Sequence, residues 1–178
     1  MRNELRKTTR EAHDRLDQLA SGLPVVSRAT YIAFLQAQGR ARLAAESAFR
    51  HTTPTHLVRP PVQGHLIRTD LEELGVQLQP AGMVLTFASS CEALGAAWVI
   101  AGSSLGNRAM LVQRQKAGLS GAERFLSDPR MPAYFKDVLV ALEEPRDARS
   151  QRDVLSGAHN CFSLFERAFA ALPESLAA

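Results

Sequence analysis

Apolar positions along the chain recur every three or four residues almost from its first residue, the period of helices that bury one face. Leu5, Ala12, Leu16 and Leu19 mark a first amphipathic helix, which "SGLPVVS" ends with Gly22 and Pro24. Ser27 stands at the N-cap position of a second, "RATYIAFLQAQGRARLAAESAFR", with Tyr31, Phe34, Leu35, Gln38 and Leu43 along one side before "HTTPTHLVRPPVQG" breaks it. "HLIRTDLEELG" predicts a short helix with a glycine stop, and Ser89 or Ser90 caps a long one running to about Lys116, with Gly118 beyond its end. "GAERFLSDPRMPAYFKDVLVALEEP" predicts two helical pieces separated by Asp128-Pro129, and "ARSQRDVLSGAHNCFSLFERAFAAL" a last helix. No segment alternates with period two and no internal repeat occurs, so the pattern predicts an all-α bundle of about seven helices.

Composition narrows the function classes. The chain has 178 residues and is 46% hydrophobic, enough for one domain over residues 1–178 with a real core. Its 21 Lys and Arg against 18 Asp and Glu leave a net charge of +3. The basic residues are scattered, so no nucleic-acid footprint is expected, although a few could serve an anionic small molecule. The charged start "MRNELRKTTREAHDRLD" has no apolar leader, and the run Ala93 to Asn107 is too short for a membrane span. A soluble, cytoplasmic protein is expected, with Cys91 and Cys161 as reduced core residues.

The long helix carries an unusual feature. Gly95, Gly102 and Gly106 lie seven and then four residues apart, so a continuous helix places them on one face, with Cys91 a turn before. Each interior glycine costs about 1 kcal/mol relative to alanine, so such a stripe calls for an offsetting benefit. Close helix packing supplies one, and room for a large flat ligand supplies another. Ser103 and Ser104 invite a kink, and Asn107 and Arg108 just beyond are polar where packing alone calls for apolar residues.

His13 and Asp17 stand four residues apart on the first helix. An imidazole used as a metal ligand must be neutral at the coordinating nitrogen and is commonly oriented through its other N–H by a carboxylate. The same spacing also describes an ordinary surface pair. His51, His56 and His65 lack the spacing and carboxylates of a metal site, Asp153, His159 and Glu166 do not form a di-iron motif, and no phosphate-binding or nucleophile-elbow motif occurs.

"LRKTTREAHDRLD", "YIAFLQAQ", "DLEELG", "GAAWVIAGSSLGNR" and "CFSLFERAF" together resemble, in order and approximate spacing, the bacterial heme oxygenases. The resemblance covers nearly the whole chain. Its most specific part is L-R-x-x-T-x-x-x-H-x-x-L-D joined with G-S-x-L-G-x-R about ninety residues later. It implies a single-domain helical bundle that cleaves heme, which is cofactor and substrate at once, to biliverdin, ferrous iron and CO. O2 and electrons from an external ferredoxin or flavoprotein donor are consumed. On this resemblance His13 is the axial iron ligand and Gly102, Ser103 and Gly106 form the distal segment over the iron. Arg6, Thr9, Trp98, Val99, Leu105, Arg108 and Phe162 contact the cofactor, Arg6 as a basic partner of the propionates. Asp17 supports His13, and Arg68 and Asp70 are candidates for ordering water.

The chain departs from the family where relatives typically read Tyr-Val-Leu-Glu-Gly-Ser and it reads Trp98-Val99-Ile100-Ala101-Gly102-Ser103. A tyrosine hydroxyl and a glutamate are lost, which opens a second expectation, a heme-binding or heme-sensing protein of little or no activity. A heme-free relative, with His13 and Asp17 as a surface pair, is a third.

Overall fold

The computed structural model describes residues 1–80 and 82–171. Its helices in chain order are α1 (Arg2–Thr8), α2 (Arg10–Ser21), α3 (Arg28–His51), α4 (Gly64–Glu73), α5 (Ser90–Gly102), α6 (Ser104–Lys116), α7 (Arg124–Ser127), α8 (Arg130–Ala141) and α9 (Ala148–Ala170). The fold is all-α, as the hydrophobic period predicts. Two of the predicted helices are each divided, which raises the number of segments above seven. At Thr9, Oγ1 donates to the Leu5 carbonyl (2.7 Å) and Thr8 Oγ1 to that of Glu4 (2.8 Å). Such back-bonding competes with the helix ladder and separates α1 from α2. The second division, at Ser103, lies beside the cavity described below.

Helix α5 is hydrophobic on all sides, and Ala93 to Ala97 and Val99 to Ala101 are all buried, so it takes the centre of the bundle. Ser89 caps it by accepting the Glu92 N–H (3.2 Å), while Glu92 Oε2 accepts that of Ala88 (2.7 Å), a reciprocal capping arrangement. Ser27 occupies the N-cap of α3 without a side-chain cap bond. Helix α9 is amphipathic and lays Val154, Ala158, Cys161, Phe162, Phe165 and Phe169 against the core.

The most extensive interface joins α5 to α9, while α3 and α2 also pack on α9 and α8 packs on α5. Its closeness rests on two glycines. A Cβ on Gly95 would sit 1.9 Å from the Val154 carbonyl oxygen, and one on Gly157 would sit 1.9 Å from that of Glu92. Each backbone therefore presses directly on the other's glycine. Of the predicted stripe, Gly95 serves packing. No helix among the described residues is long and apolar enough to cross a membrane, and Cys91 and Cys161 are both free.

Two stability measurements follow from this packing. Gly95→Ala or Gly157→Ala meets backbone that cannot move aside, and each should lower the free energy of unfolding in urea by about 3 kcal/mol or more. Burial pushes the Cys161 thiol from its ordinary 9.0 up to about 12. Between those values the unfolded chain ionises this thiol and the folded one does not, so its contribution to stability falls as pH rises past 9. The urea midpoint should be lower at pH 10 than at pH 8, and this difference should shrink in Cys161→Ala.

Candidate functional site

The break between α5 and α6 is chemical in origin. Ser103 Oγ donates to the Ile100 carbonyl (2.7 Å) and Ser104 Oγ to the Ala101 carbonyl (2.6 Å), so two successive hydroxyls take helix carbonyls. Beside this break lies a cavity of about 570 Å³, within the range of about 300–1,000 Å³ usual for small-molecule sites.

Most of the walls are apolar. Phe34 comes from α3, Trp98 and Val99 from α5, Met110 from α6, Phe135 from α8, and Phe162, Phe165 and Phe169 from α9. Gly102, Ser103, Leu105, Gly106 and Asn107 bring the break itself to the cavity, and Arg6, Thr9, Arg10, His13 and Asp17 bring α1 and α2. Leu105 is 65% exposed and stands at the mouth.

The two glycines here differ from Gly95. A Cβ on Gly102 would make only ordinary contact with the Phe135 ring, at 3.6 Å, and one on Gly106 would meet nothing within 4 Å. The protein's own packing does not require either residue to be glycine. The stripe seen in sequence thus meets three different surroundings: backbone at Gly95, the Phe135 ring at ordinary contact distance at Gly102, and open space at Gly106.

His13 Nδ1 lies 3.1 Å from Asp17 Oδ2, across one helical turn. An Nδ1–H donated to this carboxylate leaves Nε2 as the ring nitrogen with a free lone pair. The imidazole stands edge-on to Phe162, with ring centroids 6.1 Å apart, and its side chain is 58% exposed. Arg15 ties α2 to α9 by an ion pair with Glu166 (3.1 Å). Thr9 is buried and its hydroxyl is committed to Leu5, so it contributes shape to the wall.

Three residues singled out in sequence lie elsewhere. Arg108 is exposed and does not line the cavity, because its neighbour Asn107, one turn from Ser103, takes the inward position. Arg68 is exposed on α4 and is not in the wall. Asp70 is fully buried and holds the start of α7, accepting the backbone N–H of Arg124 (3.1 Å) and Phe125 (2.9 Å) and the Arg124 guanidinium (3.2 Å). Its carboxylate is occupied by a structural duty and does not reach the cavity. Ala101 is buried, with its carbonyl bonded to Ser104, so that position sends no group to the site.

Other polar groups gather there that sequence reasoning did not single out for chemistry. Gln38 and Asn107 line the cavity, 7% and 5% exposed. Gln38 Oε1 accepts from Arg42 Nε (3.3 Å), while the Asn107 amide makes no hydrogen bond to the described residues. Arg42 also donates to Ser103 Oγ (2.7 Å) and to Gln63 Oε1 (2.6 Å), and Gln63 Nε2 donates to Asp128 Oδ2 (2.9 Å). The available signal is a Gln38-x-x-x-Arg42 pair in an alanine-rich helix, which Gln36-x-x-x-Arg40 repeats two residues earlier, so spacing alone does not single it out. No group of three or more His, Cys, Asp or Glu residues suited to a bare metal ion occurs among the described residues.

No family model and no curated protein matches the chain. Among solved structures it is similar to the NO- and CO-bound heme oxygenase from Neisseria meningitidis. The TM-score is 0.72 and the identity 21%, over 94% of this chain and 88% of that one. The chain therefore has a heme-oxygenase-like fold.

The contrast between glycines is directly measurable. Gly106→Ala replaces a helix-weakening residue where space is open, and should stabilise the ligand-free protein by about 0.5–1 kcal/mol in urea unfolding. Gly95→Ala, on the same helical face, should do the opposite.

Proposed function

We propose that the chain is a single-domain, cytoplasmic heme oxygenase that binds heme beside the α5–α6 break and opens it to biliverdin, ferrous iron and CO. The observation that carries this reading is the pairing of His13, its Nδ1 held by Asp17, with a cavity wall left bare by Gly102 and Gly106. Interior glycines weaken a helix, and here no protein atom lies within 4 Å of where a Gly106 side chain would begin, while Gly102 meets only the Phe135 ring at ordinary contact distance. A flat ligand lying close to the backbone accounts for it.

The residues present fit the group. His13 Nε2 is the ring nitrogen that would hold the iron, and Asp17 at Nδ1 would fix the ring's orientation. The phenylalanines of α3, α8 and α9 cover an apolar macrocycle, and Arg6 and Arg10 at the exposed rim suit its carboxylates. When bound, heme supplies the iron at which O2 is reduced, with electrons from a ferredoxin or flavoprotein donor. The chain's own part is to bind, orient and exclude. Gly102 and Gly106 admit small ligands close to the backbone, and Gln38 and Asn107 supply hydrogen-bonding groups without a strong acid. Leu105, exposed beside the cavity, limits entry at the mouth.

Titration with hemin should give a 1:1 complex with a histidine-ligated Soret band. His13→Ala should abolish or strongly shift that band, and Asp17→Asn should weaken binding by about tenfold. Addition of reductant in air should then replace the Soret band with biliverdin absorption. A Soret band that persists under turnover conditions would instead identify a heme carrier or sensor, the reading that the Trp98 and Ala101 departures favour. No spectral change on adding hemin would overturn heme binding altogether.

A further inference from the structure

Arg42 is 2% exposed, in the middle of α3. Buried charges are ordinarily paired with an opposite charge, yet the three groups that Arg42 meets directly, Gln38 Oε1, Gln63 Oε1 and Ser103 Oγ, are all neutral. The nearby carboxylates, Glu46 and Asp128, act on it only through space, because their oxygens are bonded to other groups. Glu46 Oε1 accepts the backbone N–H of Gln63 (2.7 Å) and Gly64 (2.8 Å) at the start of α4. Asp128 reaches Arg42 only through Gln63 and is itself paired with Arg130 (2.8 Å). Around the guanidinium lie the rings of Phe125 and Phe165, at 4.8 and 5.9 Å, and Arg42 also borders a small second cavity of about 130 Å³.

This cation stands one hydrogen bond away from the cavity at two points, because both Gln38 and Ser103 line the wall. Burial pulls its pKa down to about 10, which leaves it protonated at neutral pH. In a water-poor surrounding its field is weakly screened. Arginine adds charge without offering an acidic proton, and its planar fork holds Gln38 and Ser103 in fixed positions.

We propose that Arg42 is a positioning residue that makes the cavity beside the α5–α6 break electropositive, so that small anions are preferred there over neutral molecules of similar size. The proposal rests on the heme reading above, since the bound iron is what holds such a ligand at that place. The guanidinium acts through Ser103 and Gln38 and does not itself touch the ligand.

The test uses hemin-loaded ferric protein at pH 7, with azide as the anionic probe and imidazole as the neutral one, both followed by the Soret shift. Arg42→Gln should weaken azide about tenfold and leave imidazole within about twofold, and Arg42→Lys should retain most of the azide affinity. Equal weakening of both probes, or unchanged azide affinity, overturns the assignment, because a merely structural residue would not separate charge from size. Where Arg42→Gln does not fold, Asp128→Asn serves. It removes one of the two carboxylates, with Glu46, whose charge offsets the guanidinium, and should tighten azide about threefold; unchanged or weaker azide binding overturns the proposal. Wild-type protein that takes up no hemin overturns the heme reading and this assignment together, whereas a hemin complex with no charge preference overturns this assignment alone.

Discussion

The crossing of α5 and α9, glycine against backbone on both sides, is the constraint on which the rest of the molecule depends. At Gly95 and Gly157 no side chain separates the two helices, so their spacing is set by main-chain atoms and has no adjustable element. From that crossing α5 carries Trp98, Val99 and Gly102 to the cavity, and α9 carries Phe162, Phe165 and Phe169. Helix α2, with a single fully buried residue, leans on α9 through the Arg15–Glu166 pair and brings His13 edge-on to Phe162. The site is assembled on the least compressible part of the fold.

Beside this rigid crossing the chain gives up stability locally. Gly102 and Gly106 loosen the helix, and Ser103 and Ser104 withdraw two of its carbonyls, without any gain in protein–protein contact at Gly106. Local rules are thus broken beside this cavity. The same holds for Arg42, a buried cation surrounded by neutral acceptors. An apolar residue of similar volume would be the simpler solution for stability alone. The first departure lines the cavity, and the second stands one hydrogen bond behind its wall, through Ser103 and Gln38.

How much of this was legible in the sequence varied with the range of the interaction. The helices, their caps at Ser89 and the turn at Asp128-Pro129 follow from local spacing and side-chain chemistry. The interruption at Thr9 escaped notice because its cause, hydroxyl back-bonding within one turn, leaves the apolar period untouched. The resemblance implies water ordering by Arg68 and Asp70 and cofactor contact by Arg108, and the fold puts none of the three in the cavity wall. Asp70 in particular is drawn to the start of α7, where two backbone N–H groups and a guanidinium satisfy it.

The sequence by itself determined the helical class, the His13–Asp17 pair and the presence of a bare helical face, since all three depend on residues within a few positions of one another. Only the tertiary structure decided what that face is for. Gly95 and Gly106 are indistinguishable on a helical wheel, yet one meets the backbone of α9 and the other meets open space. It also decided that Arg42 stands behind Ser103, joining α3 to the break between α5 and α6. The physical reason is common to both: a side chain's role depends on what lies opposite it, and here the opposing groups are supplied by chain segments far away in sequence.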